Sequence, residues 1–223
     1  MKAFFVKLWR KITGKKEQVV HEVKPVEPTQ ERDNSMFADI SHYEICDYSK
    51  YPHDLIIFKA TEGTSIIDST LYDNMEKSKH LKTGVYHFYR CNRSPFQQAE
   101  HFIGAVGTQY MKDMYIDPIV DFEMANGQDE TDLKRNLQNL KSFAVEIYKH
   151  TGRKCVIYTS DYLMKYLAFD KTFLDLFNEP WIARYGKEPV NIAPWSKYWA
   201  WQFSEDHNVV GIGNCDANYF YKE

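Results

Sequence analysis

No stretch of this 223-residue chain approaches the roughly 18 consecutive apolar residues of a membrane span, so no spanning helix is expected. Glycine-rich phosphate loops are missing: neither Gly-x-Gly-x-x-Gly nor a P-loop occurs, which speaks against nucleotide chemistry. No Gly-x-Ser-x-Gly elbow offers a serine nucleophile. The four cysteines, Cys46, Cys91, Cys155 and Cys215, form no Cys-x-x-Cys pair and no zinc-ligand spacing. Their even number permits disulfides without demanding one. Cys155 opens the apolar run Cys155-Val156-Ile157-Tyr158 and reads as a core thiol. No loop alternates oxygen ligands in the manner of a calcium site, and no metal site is expected. Positive charge is not in excess either. The net charge is −3, and residues 1–35, with eight Lys/Arg and five Asp/Glu, hold +3 of it, leaving −6 on the remainder. An acidic body is a poor partner for phosphates, which excludes a nucleic-acid role.

What is present divides at residue 36. Phe4, Phe5, Leu8, Trp9 and Ile12 recur at helical spacing among Lys7, Arg10, Lys11, Lys15 and Lys16. Residues 1–16 thus carry the pattern of an amphipathic helix that could attach to an anionic membrane surface; a solvated tail is the alternative, and both stay open. Its longest apolar run, Ala3-Phe4-Phe5-Val6, is too short for a secretory signal, which leaves the export route open. Residues 17–35 have linker composition, with Pro25 and Pro28 among Glu, Gln, Asn and Asp, and the whole of 1–35 is expected to be flexible.

From residue 36 to 223 the pattern predicts one domain. Strands are expected at 36–41, 55–60, 83–89, 119–123, 156–159, 181–183 and 198–203, with a shorter one near 214–217. Helices are expected near 71–80, 95–106 and 130–151, the last with Leu133, Leu137, Leu140, Ala144 and Ile147 on one face. Near-continuous apolar strands alternating with helices predict a parallel sheet. Eight strands in so short a chain predict an α/β fold, an irregular TIM-like (β/α) barrel with fewer than eight helices.

In such a barrel the residues at the carboxyl ends of the strands converge on one face. Here those ends carry Asp39 and Ser41, Lys59 to Glu62, Tyr86 to Arg90, Asp121 and Glu123, Tyr158, Trp181 and Arg184, Trp201 and Gln202, and Asp216. Asp121 and Glu123 stand two apart, so on a strand they share a face with Cα atoms roughly 6.6 Å apart at ~3.3 Å per residue. Two carboxylates held together among Ile119, Val120 and Phe122 do not both ionise easily. One pKa should rise, as a general acid near neutral pH requires. Asp-x-Glu alone is a weak pattern, and Asp39 or Asp216 alone would read as a turn or cap residue; at three strand ends together they gain weight. His87, between aromatic residues, reads slightly better as a hydrogen-bonded core histidine than as a catalytic base. The aromatic content of 16% fits either a β-rich core or a cleft that stacks sugars, and composition favours the core.

The runs Phe37-Ala38-Asp39-Ile40-Ser41, Ile57-Phe58-Lys59-Ala60-Thr61-Glu62-Gly63 and Gly84-Val85-Tyr86-His87-Phe88 resemble glycoside hydrolase family 25, the Chalaropsis-type lysozymes of bacteria and their phages. The likeness continues through Gln98-Ala99, Asp121-Phe122-Glu123, Thr151-Gly152 and Ile157-Tyr158-Thr159-Ser160. Trp181-Ile182-Ala183-Arg184-Tyr185, Trp201-Gln202-Phe203 and Cys215-Asp216-Ala217-Asn218 complete it, in order, over roughly residues 36–221. Many members carry Trp-Gln shortly after the first Asp-x-Ser, where this chain has His42-Tyr43-Glu44.

The resemblance implies a β-1,4-N-acetylmuramidase that cuts peptidoglycan glycan strands at the cell wall; no cofactor is expected, and a monomer is expected. It implies four acidic site positions, which fall on Asp39, Asp121, Glu123 and Asp216. Glu123 is then the expected proton donor. Either the substrate's acetamido oxygen attacks, with Asp121 orienting it, or Asp121 or Asp216 activates a water; the close Asp-x-Glu spacing favours the first. Tyr86, Tyr158, Trp201 and Gln202 are the candidates for holding sugar, and Arg184 for a muramic-acid or peptide carboxylate. The rival readings are a chitinase-like barrel, a wall-binding barrel without catalysis, and a membrane-associated adaptor led by the basic N-terminus.

Overall fold

The computed structural model describes residues 36–123, 130–167 and 170–221, without the side chains of 130–135; the N-terminal segment and the linker lie outside the described residues. Among the described residues there are nine strands: β1 (Met36–Ile40), β2 (Leu55–Glu62), β3 (Ile66–Ile67), β4 (Lys82–Phe88), β5 (Ile119–Asp121), β6 (Val156–Ser160), β7 (Trp181–Ala183), β8 (Ala200–Val209) and β9 (Gly213–Phe220). The described helices are α1 (Leu71–Lys77), α2 (Pro95–Val106), α3 (Thr108–Asp113), α4 (Glu130–Thr151), α5 (Asp161–Leu167) and α6 (Phe173–Leu176). The sheet runs β1-β9-β8-β7-β6-β5-β4-β2 and closes through β1 against β2, giving an eight-stranded irregular barrel; β3 is a two-residue flap paired to the end of β2.

Alternation along each strand sorts the side chains into two cores. Phe37, Leu55, Ile57, Ile119, Val156, Tyr158, Trp181 and Ala200 fill the barrel. Their neighbours Ala38, Ile40, Ile56, Phe58, Val85, Val120, Ile157 and Ile182 face outward to a layer shared with Phe102, Phe143, Ala144 and Ile147 of the helices. Inside the barrel the residues change character two positions on: Phe37 gives way to Asp39, Ile57 to Lys59, Ile119 to Asp121, and Ala200 to Gln202. The closed, apolar half therefore lies at the amino ends of the parallel strands and the polar half at their carboxyl ends.

The expectation of a parallel sheet fails at β9, which runs antiparallel to both β8 and β1. The reason is the short link Val210–Ile212: a parallel return needs a crossover, whereas a tight turn permits only an antiparallel hairpin. Gly211, at φ +88°, makes that turn and packs against the loop after β1: Asp47 N–H donates to its carbonyl at 2.7 Å, and a Cβ on Gly211 would lie 2.9 Å from the Asp47 carbonyl oxygen. α2 begins where expected because Ser94 caps it and Pro95 occupies its first turn. Sequence patterning missed the short elements β3, α3, α5 and α6, none longer than seven residues.

Candidate active site

The two middle carboxyls lie at the mouth of the barrel. Asp121 ends β5 and is buried, 6% exposed; Glu123, two residues on, is only partly covered. Their side chains are hydrogen-bonded to each other. Burial raises both above the ordinary carboxylate range. For Asp121 the neighbouring Glu123 adds to the rise; for Glu123 the hydrogen bond from Asp121 and the cations Lys59 and Arg90 oppose it. The pair thus keeps a proton at pH values where isolated carboxylates have lost theirs. The second Asp121 oxygen, Oδ1, is buried without a hydrogen-bond partner.

Asp39 and Asp216 face each other across the β1–β9 pairing. Asp39 is 6% exposed, and its Oδ2 accepts from Gln202 Nε2 at 3.0 Å and from Asn218 Nδ2 at 2.7 Å. Gln202 Oε1 in turn accepts from the hydroxyls of Tyr158 at 2.8 Å and Tyr185 at 3.3 Å. Asn218 Oδ1 accepts from Trp181 Nε1 at 2.8 Å, which fixes the amide's orientation. Burial raises the phenol of Tyr86, with the carboxylates Asp121, Asp39 and Asp216 adding to the effect, so these groups share one electrostatic neighbourhood. Burial likewise raises the phenol of Tyr158, with Tyr185, Glu123, Asp121 and Asp39 adding to the effect.

A cationic counterweight lies beside the pair. Lys59, its side chain 11% exposed, donates to Glu62 at 2.6 Å, and Arg90 grips the same carboxylate through Nε at 3.0 Å and through Nη2. Both cations lie over the ring of Phe88, at 5.1 and 4.6 Å.

Of the residues expected at the site, the four carboxyls, Tyr86, Tyr158 and Gln202 gather here. Trp201 does not: alternation turns it to the outer face, where it is 1% exposed, packs near Phe203 and Tyr219, and donates Nε1 to the Arg184 carbonyl at 2.6 Å. Arg184 commits its Nη1 to the Glu188 carbonyl at 2.7 Å. Tyr185, Lys59, Glu62 and Asn218 were not singled out from sequence, although each sits within a run quoted there. Strand parity relative to Asp39, Asp121 and Gln202 was the available signal for Tyr185, Lys59 and Asn218; Glu62 has the opposite parity to Lys59 and is brought to its side by the register shift between Lys59 and Thr61.

His87 is fully buried on the outer side of β4, stacked on Phe143 at 5.2 Å between Thr61 (2.8 Å) and Gln98 (3.2 Å). Burial lowers its pKa to about 3, and it is a neutral core residue. Asp117 lies at the amino-terminal end of β5, bound by Arg153 Nε at 2.5 Å and Asn178 at 2.6 Å, and belongs to the scaffold. All four cysteines are free and buried. Among the described residues no group of three or more His, Cys, Asp or Glu has a metal-binding arrangement, and no helix is long and apolar enough to cross a membrane.

A protonated carboxyl beside a second carboxyl, in a mouth lined with tyrosines and amides, is the equipment of a glycoside hydrolase. The sequence model of glycosyl hydrolases family 25 matches residues 38–212, most of the chain, and the protein belongs to that family. It is accordingly a glycoside hydrolase. The fold agrees. The bacterial lysozyme from Streptomyces coelicolor is 22% identical and superposes with a TM-score of 0.77 over 86% of this chain and 94% of that one. The muramidase from Acremonium alcalophilum is 23% identical, with a TM-score of 0.69 over 84% and 94%. The spore cortex lytic enzyme SleM from Clostridium perfringens is 21% identical, with a TM-score of 0.70 over 86% and 69%. Comparison with individual characterised protein sequences gives no significant match.

Proposed function

We propose that this protein hydrolyses the β-1,4 bond between N-acetylmuramic acid and N-acetylglucosamine in peptidoglycan, at the cell wall, with Glu123 as general acid and the substrate's acetamido group as internal nucleophile. The hydrogen-bonded Asp121–Glu123 pair carries this reading. Carboxyls in direct contact leave no room between them for the attacking water that an inverting pair holds at about 6.5–9.5 Å separation. Glu123 is the more exposed member and so the one able to reach a glycosidic oxygen. Asp121 is deeper, with Oδ1 free to accept an acetamido N–H. When that N–H arrives it stabilises the ionised form of Asp121, and the shared proton passes along the existing hydrogen bond to Glu123. Glu123 then protonates the leaving oxygen while the acetamido oxygen closes on the anomeric carbon. Asp39, held by Gln202 and Asn218, and Asp216 add negative charge that favours a cationic transition state. Tyr86, Tyr158, Gln202 and Tyr185 supply ring faces and hydrogen bonds to the sugar.

The test is to digest peptidoglycan and identify the new reducing ends by mass spectrometry, with Glu123→Gln alongside. Muramic-acid ends are expected, reduced about 10²–10⁴-fold in the variant, the usual worth of a general acid. Glucosamine ends would mean the wrong bond, and full activity in the variant the wrong acid. Proton NMR of the first product distinguishes the second step: retention is expected, and an inverted anomer rejects the internal nucleophile.

A further inference from the structure

Where β1 ends, the chain forms a turn that is at once rigid and exposed. The Ser41 N–H and hydroxyl donate to Glu44 Oε2 at 3.0 and 3.2 Å, and Glu44 N–H donates back to the Ser41 carbonyl at 3.0 Å. Between them His42 is fixed to Asp68, whose Oδ2 accepts from the His42 backbone N–H at 3.1 Å and from Nδ1 at 2.8 Å. Asp68 is itself buried, 3% exposed, and its other oxygen accepts from the Thr70 N–H at 3.0 Å and hydroxyl at 2.7 Å. Burial works against its ionised form, but the hydrogen bonds from Thr70 and His42 outweigh it and hold the carboxyl below the usual range. An ionised Asp68 can only accept. His42 Nδ1 therefore carries the proton, and a neutral imidazole has its Nε2 lone pair free to accept.

That imidazole is 39% exposed at its side chain, and the Tyr43 ring packs against it at 4.0 Å between centroids while staying 62% exposed. The turn adjoins the reacting groups: Asp39 precedes Ser41 by two residues, and the Asp68 charge reaches the Tyr86 phenol together with those of Asp121, Asp39 and Asp216. A buried carboxylate that orients an exposed imidazole, beside an exposed tyrosine at the mouth, has the composition of a sugar contact. The ring gives an apolar face for the C–H side of a pyranose, and the oriented nitrogen accepts from a hydroxyl or an acetamido N–H.

We propose that His42 and Tyr43 form a sugar-binding contact on the β1 side of the barrel mouth, a pyranose ring lying on Tyr43 and one of its O–H or N–H groups donating to His42 Nε2. Asp68 is a positioning residue that fixes the imidazole tautomer. The assignment rests on the reading of the chain as a hydrolase of an amino-sugar polymer.

The experiment uses soluble, peptide-trimmed glycan strands from peptidoglycan. Their affinity is measured by calorimetry on Glu123→Gln protein carrying a second substitution, and KM and kcat are measured on the single variants. Tyr43→Ala and His42→Ala are expected to weaken binding and raise KM about tenfold, with kcat changed less than about twofold. Tyr43→Trp, which keeps a ring, restores affinity. Asp68→Asn weakens binding as His42→Ala does; should it fail to fold, the two exposed positions still decide. Unchanged affinity and KM in folded Tyr43→Ala and His42→Ala protein overturn the contact. Absence of any cleavage by the unsubstituted protein overturns instead the reading on which it rests, and the calorimetry still tests whether these residues hold the glycan.

Discussion

Lys59 acts on the carboxyl pair without touching the bond to be cut. Its charge lowers the pKa of both Asp121 and Glu123, against the rise that burial imposes. A general acid must be protonated, so activity is lost as pH rises through the raised pKa of the pair. Removing the cation strengthens the rise, and Lys59→Gln is expected to move the alkaline limb of the kcat/KM profile to higher pH. Arg90 remains to hold Glu62 in this variant. An unmoved limb would mean that the proton lost there does not belong to the pair. Individual residues were legible in sequence where chemistry and parity coincided, as at Asp121 and Glu123. Trp201 stands outside the site because it lies one residue from Gln202, and adjacent strand residues face opposite ways.

Elements are placed by their ends. The β8–β9 hairpin brings Asp216 opposite Asp39, and the hairpin depends on Gly211, whose positive φ and close approach to Asp47 exclude a side chain. Gly211→Ala is expected to destabilise the fold by about 1–3 kcal/mol, the cost of a strained left-handed residue with a backbone contact to displace. Chemical denaturation measures this; a loss under ~0.5 kcal/mol would mean that the turn relaxes freely. At the other end of the barrel Arg153 joins Asp117 to the carbonyls of Met111 and Met114 at 2.9 and 2.7 Å, tying the loop before β5 to the end of α4. The long elements were readable because period-2 and period-3.6 patterns need length to repeat. β3, α3, α5 and α6 are too short to show a period, and tertiary contacts alone hold them.

For the molecule as a whole, pH sets two opposing contributions to stability. His87 has its pKa lowered to about 3, from an unfolded value near 6.5. Its contribution is complete above the unfolded value and is lost as pH falls from there toward 3. The Asp121–Glu123 pair has the opposite sign: with pKa values raised on folding, it destabilises the barrel above the raised range and ceases to do so as pH falls below the ordinary carboxylate values. Glu123→Gln is therefore expected to raise the Tm at pH 7 and to lose that advantage near pH 4, while its activity falls. An equal Tm at both pH values would show that the pair ionises in the fold as freely as in the open chain.

The sequence by itself determined the strands that make the barrel, the burial of their apolar faces, and the convergence of Asp39, Asp121 and Glu123 at one end; Asp216 joins them through a hairpin that runs against the polarity expected of its strand. The first three follow from side-chain alternation and strand polarity, which are local. Only the tertiary structure decided that β9 runs antiparallel and that Glu62 reaches Lys59 and Arg90 across the irregularity in β2. It also decided that a buried Asp68 orients His42, a partner 26 residues away. These facts depend on which strands become neighbours and on which carboxylates burial brings into one low-dielectric space, and both are properties of the closed barrel, not of any segment of its chain.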